Sequence, residues 1–294
     1  MHKDKIHTPV LLKETIEYLN IGDGNNKAVI DATLDGGGHA TALREQFPGL
    51  RILGIEFDPV MAEELELDPS ISVIVDSYAN IEKIADDHKI IPDAVYFDLG
   101  VSSWHYESAS RGFTFQKDQL LDMRFNPEIQ KISAIDVINR YTQNEIEDIL
   151  IKYGEEEFAK EIAKNINKAR KERPVITTTK LIEVIDQSVP IWYKHKKIHF
   201  ATKTFQAIRI EVNNEIETIR KGLNGAIKIL KKGGRLVVIS FHGLEDKTVK
   251  DLFKSKASEG IVKFVTKDTI KPKWLETRAN PRSRSAKMKI VEKL

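Results

Sequence analysis

The chain is 294 residues long, carries 46 Lys and Arg against 44 Asp and Glu for a formal charge of +2, and has no cysteine. Disulfides, cysteine-ligated zinc and thiol nucleophiles are therefore excluded. No apolar run approaches the roughly 18 residues of a membrane span and no signal-peptide pattern opens the chain, so a soluble, cytoplasmic protein is expected. The near-balance of charge hides an asymmetry. Residues 261–294 hold ten Lys and Arg against three acids, a net of +7, which suits either a polyanion or a solvated tail.

A short first helix is expected after His7-Thr8-Pro9-Val10-Leu11-Leu12, with Leu12, Ile16 and Leu19 on one side and Gly22 and Gly24 ending it. A strand near 28–32 then runs into Gly36-Gly37-Gly38 and a helix over 40–47. A second strand, 51–55, leads to Glu56 and a helix from Pro59 through Leu67. A third, 71–75, precedes Asp76-Ser77-Tyr78, and a fourth, 94–97, ends at Asp98-Leu99-Gly100. Near-continuous apolar strands alternating with helices imply a parallel sheet covered on both faces.

The alternation then stops. Residues 102–127 read as a loop, and helical patterns follow: a capping box at Thr142–Glu145, then Phe158, Ile162, Ala163 and Ile166, then Thr179 to Val189 stopped by Pro190. One long amphipathic stripe is expected from Phe205 to Leu230. A strand returns at 235–241 after Gly233-Gly234. Near the end, Lys287 and Lys289 alternate with Met288 and Ile290, which predicts a terminal strand with a solvent-facing basic flank, preceded by a turn-rich basic loop at 280–285. The economical organisation is one α/β domain formed by 1–104 and 216–294, with an inserted helical domain at 105–215.

Chemistry concentrates where the first strand meets its glycines. Residues without a Cβ let a ligand approach the backbone, and the helix that follows presents unpaired N–H groups and a positive dipole end. A dinucleotide fingerprint starting at Gly36 would need a third glycine at position 41, which is Thr41. Instead Asp31 closes the first strand and Glu56 the second, about 20 residues after the glycines, where a carboxylate accepts ribose hydroxyls. The pattern resembles the S-adenosylmethionine corner of class I methyltransferases. Asp98, closing the fourth strand beside the first, faces the same crevice; an ordinary Asp-Leu-Gly turn is the plain alternative.

Several blocks make the resemblance specific: HTPVLL (7–12), DATLDGGGH (31–39), DLGVSS (98–103), RGFTF (111–115), LDMR (121–124), YGEEEFAKEIA (153–163), TFQAIRIEVNNE (204–215), GGRLVVISFH (233–242) and NPRSRSAK (280–287). On these the chain resembles the bacterial small-subunit ribosomal RNA (cytosine-N4)-methyltransferases, the RsmH or MraW family. The resemblance implies a class I, Rossmann-like doubly wound sheet with a helical insertion. It further implies S-adenosylmethionine as cofactor, no metal, small-subunit rRNA or the 30S subunit as partner, and a monomer or homodimer. Carried over by position, cofactor contacts fall on Gly37, Gly38, His39, Glu56, Tyr78, Asp98 and His105. The chain departs from the family at Glu56, where Asp is common, at Tyr78 for Phe, at His105 for Gln, at Asp35 for a neutral or basic residue, and at Gly243 for Ser.

Methylation of cytosine at C5 generally needs a covalent nucleophile, usually Cys, and this chain has none. Transfer to an exocyclic amine needs alignment and an acceptor for the amine hydrogens, a role open to Asp98. Trp104, Phe113 and Phe115 with Arg111 and Arg124 are candidates to stack on a base and hold phosphates, although such aromatics are more often core or hinge residues. His195 and His199 among lysines read as solvated basic surface. A nicotinamide dehydrogenase, an RNA-binding protein with a degenerate cofactor pocket, and a methyltransferase of another nucleic acid are the alternative readings.

Overall fold

The computed structural model describes residues 9–294, so His7 and Thr8 of the first sequence block lie outside it. In chain order the elements are α1 (Leu12–Leu19), β1 (Ala28–Asp31), α2 (Gly38–Gln46), β2 (Arg51–Glu56), α3 (Pro59–Glu63), β3 (Ile71–Val75), α4 (Ile81–Asp87) and β4 (Ala94–Asp98). Seven helices follow: α5 (Ser103–Glu107), α6 (Ala134–Arg140), α7 (Gln143–Gly154), α8 (Ala159–Glu172), α9 (Thr178–Ser188), α10 (Ile191–Lys194) and α11 (Thr202–Asn213). The chain closes with α12 (Glu215–Ile229), β5 (Arg235–Ser240), α13 (Gly243–Ser258), β6 (Val262–Phe264), α14 (Trp274–Ala279) and β7 (Lys287–Lys293). They divide into two compact units, one holding the described residues through Ser102 together with Ile216–Leu294, the other Ser103–Glu215.

Among the described residues of the first unit, the strands form one sheet in the order β3-β2-β1-β4-β5-β7-β6. The first five are parallel; β7 runs antiparallel between β5 and β6. This is the Rossmann-like doubly wound sheet expected from the sequence. Strand side chains alternate between faces, so each strand feeds two cores. Ile30, Leu53, Val95, Phe97 and Val238 pack under Ile81 and Ile84 of α4, Ile219 and Leu223 of α12, and Phe253 of α13. Val29, Ile52, Tyr96, Val237 and Ile290 pack under Leu19 of α1 and Ala40 and Leu43 of α2. Burial on both faces is why these strands read as unbroken apolar runs.

The second unit is helical, and its polar motifs are structural. The capping box expected at Thr142 and Glu145 is present, and Ser133 with Asp136 forms another at α6. Buried Asn213 accepts from the Phe125 N–H at 3.0 Å and donates to the carbonyls of Met123 and Arg209 at 2.8 and 2.9 Å. Arg209 forms a two-pronged ion pair with Glu215 at 2.7 and 2.9 Å.

Four expectations need correction. The stripe from Phe205 to Leu230 is two helices, broken at Asn214 in the left-handed region (φ 47°), a conformation asparagine tolerates. The helix from Pro59 stops at Glu63 rather than reaching Leu67, and Leu67 instead packs against Gly37. Residues 102–127 are not all loop, since α5 lies within them. The terminal strand exists, but Lys289 is only 8% exposed because it sits on Asp246, so the basic flank is not simply solvated.

Candidate active site

Three parallel strand ends build the site. Asp31 pairs in register with Gly54 of β2 and Tyr96 of β4, so Glu56 and Asp98 each stand two residues further along, on the carboxyl edge of the sheet. Asp31 is 1% exposed, and Glu56 and Asp98 are each 6% exposed. The Tyr96 hydroxyl donates to Asp31, and the Thr33 N–H donates to the same carboxylate at 3.2 Å. The Asp98 N–H donates to the Thr33 hydroxyl at 2.6 Å, tying β4 to the turn after β1.

That turn needs glycine at position 37. Its φ is +70°, and a Cβ there would lie 2.4 Å from Leu67 Cδ2. Asp35 also takes a positive φ, 47°, and its N–H donates to Glu56 Oε2 at 2.9 Å. The Asp58 N–H donates to Glu56 Oε1 at 2.8 Å, so the longer Glu side chain is fixed from both sides by backbone. His39, in the first turn of α2, has Nε2 at 3.1 Å from the Val10 carbonyl. A carbonyl only accepts, so Nε2 carries the hydrogen and Nδ1 faces Asp98 Oδ2 at 3.8 Å. Tyr78 rests edge-on against Phe97 with ring centroids 5.4 Å apart, and Gly222 of α12 makes room for it.

The electrostatics are one-sided. Among the described residues no lysine or arginine pairs with Asp31, Asp35, Glu56 or Asp98. Burial pushes Glu56 up to about 8 despite the backbone N–H bonds that oppose the shift. Burial likewise raises Asp31 to about 7, against the Tyr96 and Thr33 bonds. Asp98 is held well above the usual carboxylate range by burial, then by the charges of Asp31 and Glu245. Asp35 is raised by burial and by Glu56, Asp98 and Asp31. Among the described residues Asp98 Oδ1, which is buried, has no hydrogen-bond partner. Unpaired buried carboxylates with an orphaned acceptor call for a ligand bearing hydroxyl donors and positive charge. Ribose and a sulfonium supply both.

The other expected residues belong to the inserted unit. His105 lies on α5 of the inserted unit, 3% exposed, with its ring 5.1 Å from Phe113 and 5.0 Å from Phe125. Arg111 donates to the Arg124 and Phe125 carbonyls, and Arg124 forms a two-pronged pair with Asp122 at 2.8 and 2.6 Å. Both guanidiniums therefore hold the 111–130 segment together rather than standing ready for phosphate. Phe113 is buried, and Phe115 stacks on His199 at 4.6 Å. His199 is thus not simply solvated, and partial burial lowers its pKa, whereas His195 is exposed as expected.

Three participants went unseen in the sequence. Tyr96 looks like an ordinary strand aromatic, and only its register beside Asp31 gives its hydroxyl a purpose. Thr33 sits one turn before the glycines, where its hydroxyl signals nothing alone. Glu245, 1% exposed near Gly100, adds charge beside Asp98; its place in the block after β5 was the available signal.

The sequence model of the MraW methylase family matches residues 4–294. The Ribosomal RNA small subunit methyltransferase H of Persephonella marina is 41% identical over 294 residues, covering 98% of this chain and 99% of that protein. The protein of the same name from Elusimicrobium minutum is 42% identical, covering 98% of each. That from Syntrophus aciditrophicus is 39% identical over 314 residues, covering 99% of each.

Proposed function

The chain belongs to the MraW methylase family, and from that premise we propose that it is an S-adenosylmethionine-dependent methyltransferase acting on N4 of one cytidine in the decoding region of small-subunit rRNA. The observation that carries the chemistry is Asp98, a buried carboxylate at the end of β4 with one oxygen unpartnered among the described residues. An exocyclic amine attacks a methyl group only when its lone pair is available, and an acceptor drawing on its hydrogens makes it so. Asp98 Oδ1 is that acceptor in our reading. The cofactor contributes a methyl group on a positively charged sulfur.

The remaining assignments belong to this chain's own residues. Glu56 accepts the ribose hydroxyls, and the Gly37-Gly38 turn lets the nucleoside lie against backbone. Tyr78, propped on Phe97, packs on the adenine. His39, oriented by Val10, sets its Nδ1 toward Asp98 at 3.8 Å and lines the methionine end of the pocket. The clustered acids favour the cationic cofactor electrostatically and gain less from its neutral product, which assists release. His105 is assigned to the cofactor by the family resemblance alone. The inserted unit is read as the substrate-recognition part.

The lack of cysteine argues against the covalent route used for C5 methylation. Incubation with naked small-subunit rRNA and, separately, with assembled 30S subunits distinguishes the two substrate forms. Methylation of neither, alongside measurable cofactor binding, would refute the assignment.

A further inference from the structure

A basic groove lies at the far edge of the sheet, in the first unit and away from the carboxylate cluster. Its volume is about 340 Å³, and it is lined by Lys250 and Lys254 of α13, Phe264 of β6, Lys267 in the segment after it, and Lys289 and Ile290 of β7. Lys250 and Lys254 are four residues apart on α13 and so share one helix face. That helix buries Val249 and Phe253 against the sheet. Val262 and Phe264 point to one face of β6, Val262 buried and Phe264 42% exposed. The Phe264 ring rests edge-on against buried Phe253, with centroids 6.3 Å apart. A fixed ring with an open face thus sits between lysine walls.

Charge in the groove is only partly compensated. Lys289 is taken up by Asp246, but among the described residues Lys250, Lys254 and Lys267 make no ion pair. Asp268 is the acid of the lining. The register ties the groove to the site, because Asp98 pairs with Ile239, Ile239 with Met288 and Met288 with Ile270. The upper end of the groove, beside Thr269, is thus level with Asp98 across three strand spacings, roughly 14 Å away.

We infer that this groove is a subsite for single-stranded RNA, in which Lys250, Lys254 and Lys267 hold consecutive phosphates and Phe264 stacks on one base. It would seat the strand a few nucleotides from the cytidine being methylated. A phosphate backbone supplies the missing negative charge, and a single strand supplies the exposed π-face that a duplex hides. The inference rests on the proposed function, since it takes RNA as the substrate.

The test uses the full chain and a labelled single-stranded oligoribonucleotide, with binding followed by fluorescence anisotropy from low to moderate salt. Replacing Lys250, Lys254 and Lys267 together by Gln should lower the slope of log K against log salt by roughly two units, at about 0.7 per phosphate. Phe264→Leu keeps the packing on Phe253 but removes the stacking ring. It should weaken binding roughly five- to hundredfold with the salt slope unchanged, and Phe264→Trp should restore it. Cofactor affinity should stay at the wild-type value in every variant. An unchanged slope in the triple variant would overturn the phosphate contacts. Equal loss by Phe264→Leu on a fully paired RNA duplex, or equally tight wild-type binding of poly-glutamate, would overturn the single-strand assignment. If the wild-type methylates small-subunit rRNA while these variants bind as it does, only the groove falls. If the wild-type methylates none, the functional reading falls with it.

Discussion

Cofactor binding should be linked to protons, and Glu56 sets the size of the effect. Its oxygens already accept the N–H groups of Asp35 and Asp58 at 2.9 and 2.8 Å. Protonation therefore takes an acceptor site that the ribose hydroxyls need. Burial places this carboxyl at about 8, so at pH 7 roughly one molecule in ten is ionised. Ionising it on binding costs about 1.4 kcal/mol for each pH unit below 8. The dissociation constant for S-adenosylmethionine should fall about fiftyfold between pH 6 and pH 8 and level off above. Isothermal titration in buffers of different ionisation enthalpy should count protons released on binding near neutral pH. More should be released by S-adenosylmethionine than by neutral S-adenosylhomocysteine, because a cation also draws protons from Asp31 and Asp98. Glu56→Ala should flatten the pH dependence and, at pH 8.5, weaken binding by about 1.5–3 kcal/mol. An affinity that holds steady from pH 6 to 8.5, with no proton release, would refute the placement of the ribose on Glu56.

The ligand-free chain should show the complementary trend. Asp31 and Glu56 are raised above their unfolded values, so their contribution to stability is present below about pH 4 and lost as pH rises through about 7 to 8; thermal melts should fall across that interval, and less so with cofactor bound. Asp98→Asn should cut methyl transfer roughly hundredfold or more with RNA binding preserved; wild-type turnover with saturating cofactor would make Asp98 structural. Gly37→Ala must accept a left-handed backbone and a 2.4 Å approach to Leu67, costing at least about 1 kcal/mol and displacing the cofactor turn; calorimetric titration should detect weakened cofactor binding, and unchanged affinity would remove the turn from the site. Arg282→Ala with Arg284→Ala should lower the salt slope of RNA binding by roughly 0.7–0.9 units for each phosphate no longer held, and leave cofactor affinity alone; a drop in cofactor affinity instead would show that this segment supports the pocket.

What could be read from the sequence follows from how local each feature is. Asp31, Glu56 and Asp98 were visible because an acid ending an apolar run is seldom there for packing, and parallel strands bring such ends to one edge. The Thr142–Glu145 box was visible because its bonds span three residues. Tyr96 was not, because its partner Asp31 lies 65 residues away and is set by sheet register. Arg111 and Arg124 looked available for phosphate since nothing local shows that chain folding returns carbonyls and Asp122 to them. Asn214 was lost inside a continuous apolar stripe: periodicity runs straight through a single left-handed residue that ends one helix and starts another. The basic tail was legible as charge, but its division was not. Lys289 is spent on Asp246, while Lys267 lines the groove and makes no ion pair among the described residues.

The most direct measurement is mass spectrometry of nucleosides from small-subunit rRNA after incubation with this chain and S-adenosylmethionine, with fragment mapping of the modified position. N4-methylcytidine at a single position in the decoding region is the expected product, abolished by Asp98→Asn. A methyl group on carbon 5, or no methylated cytidine from either naked rRNA or assembled 30S subunits, would contradict it.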